Sequence, residues 1–224
     1  MYMNLFSSFN PSSIPYFNLN WLSMLIFLII IPYPFWILNS QFTHMFYILS
    51  TFLSSELKII LVKKSNLLNS GILLTIFSFI LIINFSSLYP FVFSSSSHLS
   101  FSLTLSLSIF LALMIRGWTC NPTHMFAHMI PLNTPPILIP FMNMIEFTSN
   151  IIRPITLSIR LSANVIAGHL LITLLCSSMS SSTIILSVIM LIFQLILMFL
   201  EINVSMIQSY VFTILSTLYS SEVN

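Results

Sequence analysis

Charge is what this chain of 224 residues lacks most: only 4% of it is Asp, Glu, Lys or Arg, and Asp is absent altogether. Soluble domains carry about a quarter charged residues, so a water-facing fold is excluded. The charge-free runs are long, covering residues 1–55, 65–115 and 161–200. Six basic against four acidic residues leave a net charge of +2, too weak a footprint for a nucleic-acid partner. Cysteine occurs twice, as Cys120 and Cys176, both in or beside apolar segments. That is no disulfide framework and no metal knuckle, so neither a metal nor a cofactor is expected. No phosphate-binding loop motif occurs, so no catalytic nucleotide site is expected on this chain. The N-terminus lacks both a basic n-region and an Arg-rich amphipathic start, so no cleavable targeting segment is expected.

What is present is apolar. Hydrophobic residues make up 57% of the chain, in continuous stretches and not in the period-two alternation of a barrel strand. A spanning helix needs about 20 such residues. The expected fold class is an all-α polytopic membrane protein: about five membrane-embedded helices plus one interfacial amphipathic helix. No repeat is visible, so residues 1–224 form a single membrane domain.

Residues 1–20 are polar, and Pro11 and Pro15 oppose a long helix there. A first span is expected over 21–38, starting at the interfacial anchor Trp21 and kinked or ended by Pro32 and Pro34. Residues 40–69 mix Glu56, Lys58, Lys63 and Lys64 with apolar residues at roughly helical spacing, the pattern of a helix lying in the interface. Further spans are expected over 71–93 and 99–115, joined by the polar Ser94–His98 and ended by Arg116, Gly117 and Trp118. Prolines 122, 131, 135, 136 and 140 mark an irregular re-entry. A hairpin of two long helices follows, over 141–176 and 184–218, with a serine-rich turn between them. Both exceed what a hydrocarbon core of about 30 Å requires, so strong tilt is expected. Lys58, Lys63, Lys64 and Arg116 fall on one side if the first three spans alternate, which places the N-terminus on the opposite side.

Ionisable groups at membrane depth are costly and therefore face protein or water. At about 100° per residue, Glu146, Asn150, Arg153, Arg160 and Asn164 fall on one narrow stripe extending about 27 Å. Thr156, Ala163, Ala167 and Gly168 lie near it and permit close helix approach. On the last helix Gln194, Glu201 and Gln208 recur at heptad spacing, flanked by Ser187 and Ser205. His169 stands about 140° from the Glu146 axis and is expected to point elsewhere, toward a second aqueous pocket. Arg160 stays protonated and so does not relay protons; it supplies a fixed positive potential in the path and attracts a mobile carboxylate. Glu146, Glu201 and His169 are protonatable and suit a relay. Arg153, near a helix end, is equally an interfacial anchor, and Gln194 is best explained as interhelical glue. His124 and His128, four residues apart, have no third ligand in the sequence nearby and are expected to be interface histidines.

RPITLSIRLSANVIAGHLL over 153–171 is very similar to the signature of the a-subunit family of F-type ATP synthases. QSYVFTILSTLYSSEVN over 208–224 resembles the C-terminus of its animal mitochondrial members, and residues 124–154 also fit. The clear match covers 117–224, while the earlier spans fit in number and position but hardly in residues.

The resemblance implies a proton-conducting stator whose two long, tilted helices pack against a rotating ring of c subunits, each bearing one carboxylate. It implies that Arg160 separates two offset half-channels. His169 and Glu201 would then form the intermembrane-space pair, Asn164 and Gln208 would lie near the transfer point, and Glu146 would be the acid of the matrix-side path. Bacterial members place an acid where His169 stands and a histidine where Glu201 stands, which keeps one of each. The implied partners are the c-subunit ring, peripheral-stalk and other Fo subunits, the lipid bilayer, and protons as the transported ion. The implied location is the mitochondrial inner membrane, with the N-terminus in the intermembrane space and the C-terminus toward the matrix. Two alternatives stand beside this: a secondary proton or cation transporter, which usually shows repeats with broken helices, and a non-conducting structural subunit.

Overall fold

The computed structural model describes residues 5–12, 18–25, 29–32, 40–61, 67–89, 92–123, 125, 135–179 and 183–223. Helices and turns account for them, with no strand among the described residues, as the expected all-α class requires. Among the described residues four helices are long and apolar enough to cross a membrane. Much of the expected span 21–38, together with Lys63, Lys64, His124 and His128, lies outside the described residues. The described part around Trp21 is a 3-10 helix, Leu19–Leu25.

Helix α1, Gln41–Ile60, covers the first two thirds of the segment expected over 40–69, whose last residues, 67–69, belong to the next helix. Ser40 caps it, its hydroxyl accepting from the Thr43 N–H at 3.4 Å, which satisfies one of the donors a helix start leaves open. Leu53, Leu57 and Leu61 recur every four residues on one face, and all are buried. Leu57 and Leu61 pack on Leu73 of the next helix.

Helix α2, Leu67–Ser87, stops short of the expected 93. Leu88 and Tyr89 donate to carbonyls only three residues back, Phe85 and Ser86, so the helix tightens and ends. Pro90 follows, and it has no N–H with which to extend the ladder. A short 3-10 turn, Ser95–Ser97, leads into α3, Leu99–Cys120. That helix continues through Arg116 and Gly117 instead of ending there. Glycine inside a helix costs only about 1 kcal/mol, whereas Asn121 precedes Pro122, which disfavours helical backbone at residue 121.

The hairpin is longer than expected at both ends. Helix α4 runs Ile139–Met179 and α5 runs Ile184–Val223, each about 60 Å at the helical rise. Helix α4 passes through the buried Pro154, which lacks the N–H that would reach the carbonyl of Asn150. Helices α4 and α5 pack on each other, α4 also on α3, and α5 also on α2 and α3. Ile80 of α2, Leu157 and Leu161 of α4, and Phe212 of α5 form the core where these helices meet. Around it run seams of buried small residues, including Ser102 and Ser106 on α3, Ser158 and Ser162 on α4, and Ser209, Thr213 and Thr217 on α5. Small side chains let helix backbones approach closely where no hydrophobic effect drives them together.

Candidate functional site

Those buried hydroxyls are satisfied within their own helices. Ser158 donates to Ile155 at 2.8 Å, Ser209 to Met206 at 2.8 Å and Thr217 to Ile214 at 2.7 Å. Against that background the partnerless groups stand out. Both amide atoms of Asn84, Nε2 of His169 and both carboxylate oxygens of Glu201 are buried with no hydrogen-bond partner among the described residues. All three side chains line one cavity, between α2, α4 and α5, together with Ser87, Asn164, Ser205 and Gln208. Its free volume of about 30 Å³ leaves room for about two water molecules. Buried polar groups are normally paired, so a cavity with three orphans is built to be wet.

The inner end of this cavity is closed by a direct bond between the long helices. Asn164 Nδ2 donates to Gln208 Oε1 at 3.1 Å. At the other end the His169 imidazole is held by a hydrogen bond to the backbone of Ser87. The ring of Phe9 meets it edge-on at 6.1 Å. His169 thus lines a pocket apart from Glu146 and Arg153, which it shares with Asn164 of the stripe. Three helices surround the cavity, so side chains about 140° apart on α4 both reach it.

A second polar cluster lies toward the start of α4. Arg153 Nη2 and Glu146 Oε1 are 3.7 Å apart, each side chain about a third exposed. The Arg153 guanidinium also sits 5.3 Å from the centre of the Tyr219 ring, within cation–π range. This gives Arg153 a place inside the bundle and makes it more than an interfacial anchor. Gln194 Nε2 reaches Cys176 Sγ at 3.5 Å, consistent with interhelical glue. Glu56 of α1 accepts from the Tyr210 hydroxyl at 3.2 Å, a tie between α1 and α5.

Arg160 lies between the clusters, seven residues after Arg153 and nine before His169. It is exposed, on a side of α4 where Ala163, Asn164 and Ala167 are exposed as well. Among the described residues no acid lies within ion-pair distance of it; Glu146 pairs with Arg153 instead. An arginine at this depth in an apolar helix does not face lipid. It needs a polar partner surface.

The comparison with known proteins is decisive on ancestry. The family model described as ATP synthase A chain matches residues 17–221. This chain belongs to the ATP synthase A chain family. Among its relatives is ATP synthase subunit a of Drosophila melanogaster, 48% identical over 224 residues and covering all of both chains. Those of Aedes aegypti and Anopheles gambiae are 48% and 46% identical over 227 residues, again over the full length of both chains. Family membership thus extends through the first half of the chain, where the sequence carried little recognisable motif, and it leaves the secondary-transporter alternative without support.

Sequence reasoning missed Asn84 and Ser87 on α2 and Tyr219 on α5. For Asn84 a signal existed: a lone amide in the middle of a charge-free span, where its polarity has to find a purpose.

Proposed function

We propose that this chain is the proton-conducting stator of a rotary ATP synthase in the mitochondrial inner membrane. The observation that carries the proposal is the order of groups along α4. Two separate polar clusters flank an exposed arginine, Glu146–Arg153–Tyr219 on one side and Asn84–His169–Glu201 on the other. Arg160 stands about 10 Å along the helix from Arg153 and about 14 Å from His169. Such an arrangement is two half-paths with a fixed positive charge between them.

Protons entering from the intermembrane-space side pass through the His169–Glu201 cavity. They then load a carboxylate carried by the ring of c subunits that covers the exposed face of α4 and α5. The loaded, neutral carboxylate moves away through lipid, which a charged one does not do cheaply. On returning it meets Arg160, gives up its proton toward the Glu146 cluster and the matrix, and pairs with the guanidinium. Asn164 and Gln208 hold the two long helices in register beside that transfer point. The fixed charge of Arg160 keeps a proton from passing directly between the half-paths, so each proton moves with a step of the ring. Peripheral-stalk and other Fo subunits hold the chain still. The N-terminus lies in the intermembrane space and the C-terminus toward the matrix. ATP is made elsewhere in the complex.

Single cysteines test this arrangement. With Cys120 and Cys176 replaced, cysteine is introduced at Ser205 or at Ser149 in the assembled complex in sealed inner-membrane vesicles. A membrane-impermeant thiol reagent should modify Ser205→Cys from the intermembrane-space side and Ser149→Cys from the matrix side. Modification of both from one side contradicts the proposal.

A further inference from the structure

The N-terminal segment packs against the His169 end of the cavity. Phe9 covers the imidazole, and the 3-10 helix Leu5–Phe9 that carries it packs against α4. Beside it the Ser95–Ser97 turn packs against α2, α3 and α4, and the Leu19–Leu25 helix packs on that turn. The N-terminal segments and the α2–α3 turn thus lie together as a cap at this end of the bundle.

Much of that cap is aromatic. Trp21, Phe93 and the His98 ring form a three-ring cluster, Trp21 and Phe93 having centroids 5.2 and 5.3 Å from His98 and 5.8 Å from each other. Inside it, however, three buried polar atoms lack any partner among the described residues: Ser23 Oγ, Ser96 Oγ and His98 Nε2. They sit on the two segments that touch, Ser23 two residues from Trp21, and Ser96 and His98 on the turn itself. Ser94 and Ser97 satisfy each other, Ser94 Oγ donating to Ser97 Oγ at 3.2 Å and Ser97 Oγ to the Ser94 carbonyl at 2.7 Å. The orphans are thus not a general failure of the turn to pair its hydroxyls. Partnerless buried polar atoms mark places where water or a passing ion completes the coordination. Of the three, His98 alone carries a protonatable group.

We propose that His98 is the outer relay of the proton path, taking protons from intermembrane-space water and passing them inward through water held at Ser96 to the His169–Glu201 cavity. Hydronium outside gives its proton to the neutral imidazole and becomes water. The imidazolium then gives a proton to a water molecule on the inner side, and the ring returns to neutral, so one proton has moved and nothing is consumed. Trp21 and Phe93 pack against the ring and hold it in place. This inference rests on the stator reading and adds to it an entry gate.

The test uses the assembled complex in sealed vesicles, with proton flux driven from the intermembrane-space side. His98→Ala should lower the flux by about 10²-fold, and imidazole added on that side should restore much of it. A residue that only shaped the cap would not be rescued by free imidazole. Flux unchanged in His98→Ala overturns the proposal, and so does flux lost but deaf to imidazole. Where His98→Ala fails to assemble, His98→Gln, which keeps the size and polarity but not the proton exchange, decides: lost flux supports the relay and retained flux overturns it. Arg160→Gln in the same vesicles separates the two levels. If it leaves coupled flux intact, the stator reading itself fails; if it abolishes coupling while His98 variants conduct normally, only the relay fails.

Discussion

Gly168 of α4 is the seat of the Glu201 carboxylate. A Cβ built on Gly168 would collide with Glu201 Oε1, and would stand 2.7 Å from its Cδ and 3.0 Å from its Cγ. The acid of α5 therefore lies against bare backbone of α4, and no other residue type at 168 leaves it there. Alanine is the better helix former by about 1 kcal/mol, so Gly168→Ala should not cost helix stability. It should instead displace the carboxylate and lower proton flux by about 10²-fold, measured in vesicles alongside a native gel for assembly. Normal flux in an assembled Gly168→Ala complex would show that the position of Glu201 is unimportant.

Asn84 offers the cleanest separation of stability from function. It is 2% exposed, and neither amide atom has a partner among the described residues. Leaving a buried amide unsatisfied costs about 1–3 kcal/mol, whereas an apolar group of similar shape carries no such penalty. Asn84→Leu should thus raise, or leave unchanged, the temperature at which the complex dissociates, while it lowers proton flux. Loss of both together would mean that the amide is a structural element and not part of the wet cavity.

The Asn164–Gln208 bond ties α4 to α5 at 3.1 Å. Interhelical bonds in membranes are worth on the order of 0.6 kcal/mol, too little to decide assembly. Alanine at either position should leave the complex intact on a native gel. The double variant should synthesise ATP no more slowly than the worse single one, because both remove the same bond. Fully additive losses would indicate two independent roles.

For Glu146, the pair with Arg153, each side chain about a third exposed, contributes about 0–1 kcal/mol to stability. Glu146→Gln should assemble normally and slow proton release on the matrix side, read as reduced ATP synthesis at a fixed gradient. Arg153→Gln, which leaves Glu146 in place, should impair synthesis less. The reverse order would assign the matrix-side role to the arginine.

How far the sequence speaks can be judged from these same residues. The long hairpin, the amphipathic α1 and the stripe from Glu146 to Asn164 are all written in periodicity and in the rarity of charge. A polar residue in an apolar helix can be placed on a face by arithmetic alone. What surrounds that face is tertiary: α2 closes the cavity from a third side and so brings His169 and Asn164, about 140° apart on α4, to one pocket. Asn84 escaped notice because an amide adds no charge to a span. The pairing of Arg153 with Tyr219 links residues 66 positions apart, a distance that no local pattern encodes. The ends of α2 and α3 moved because backbone chemistry at Pro90 and Asn121–Pro122 governs termination more strongly than the run of hydrophobic residues.

The central claim is that Arg160 separates two half-paths and obliges protons to move with the ring. The most direct test is Arg160→Gln in the intact complex, with assembly followed on a native gel and ATP synthesis driven by an imposed proton gradient. The account predicts a fully assembled complex that makes no ATP. An assembled Arg160→Gln complex that still couples the gradient to ATP synthesis would contradict it.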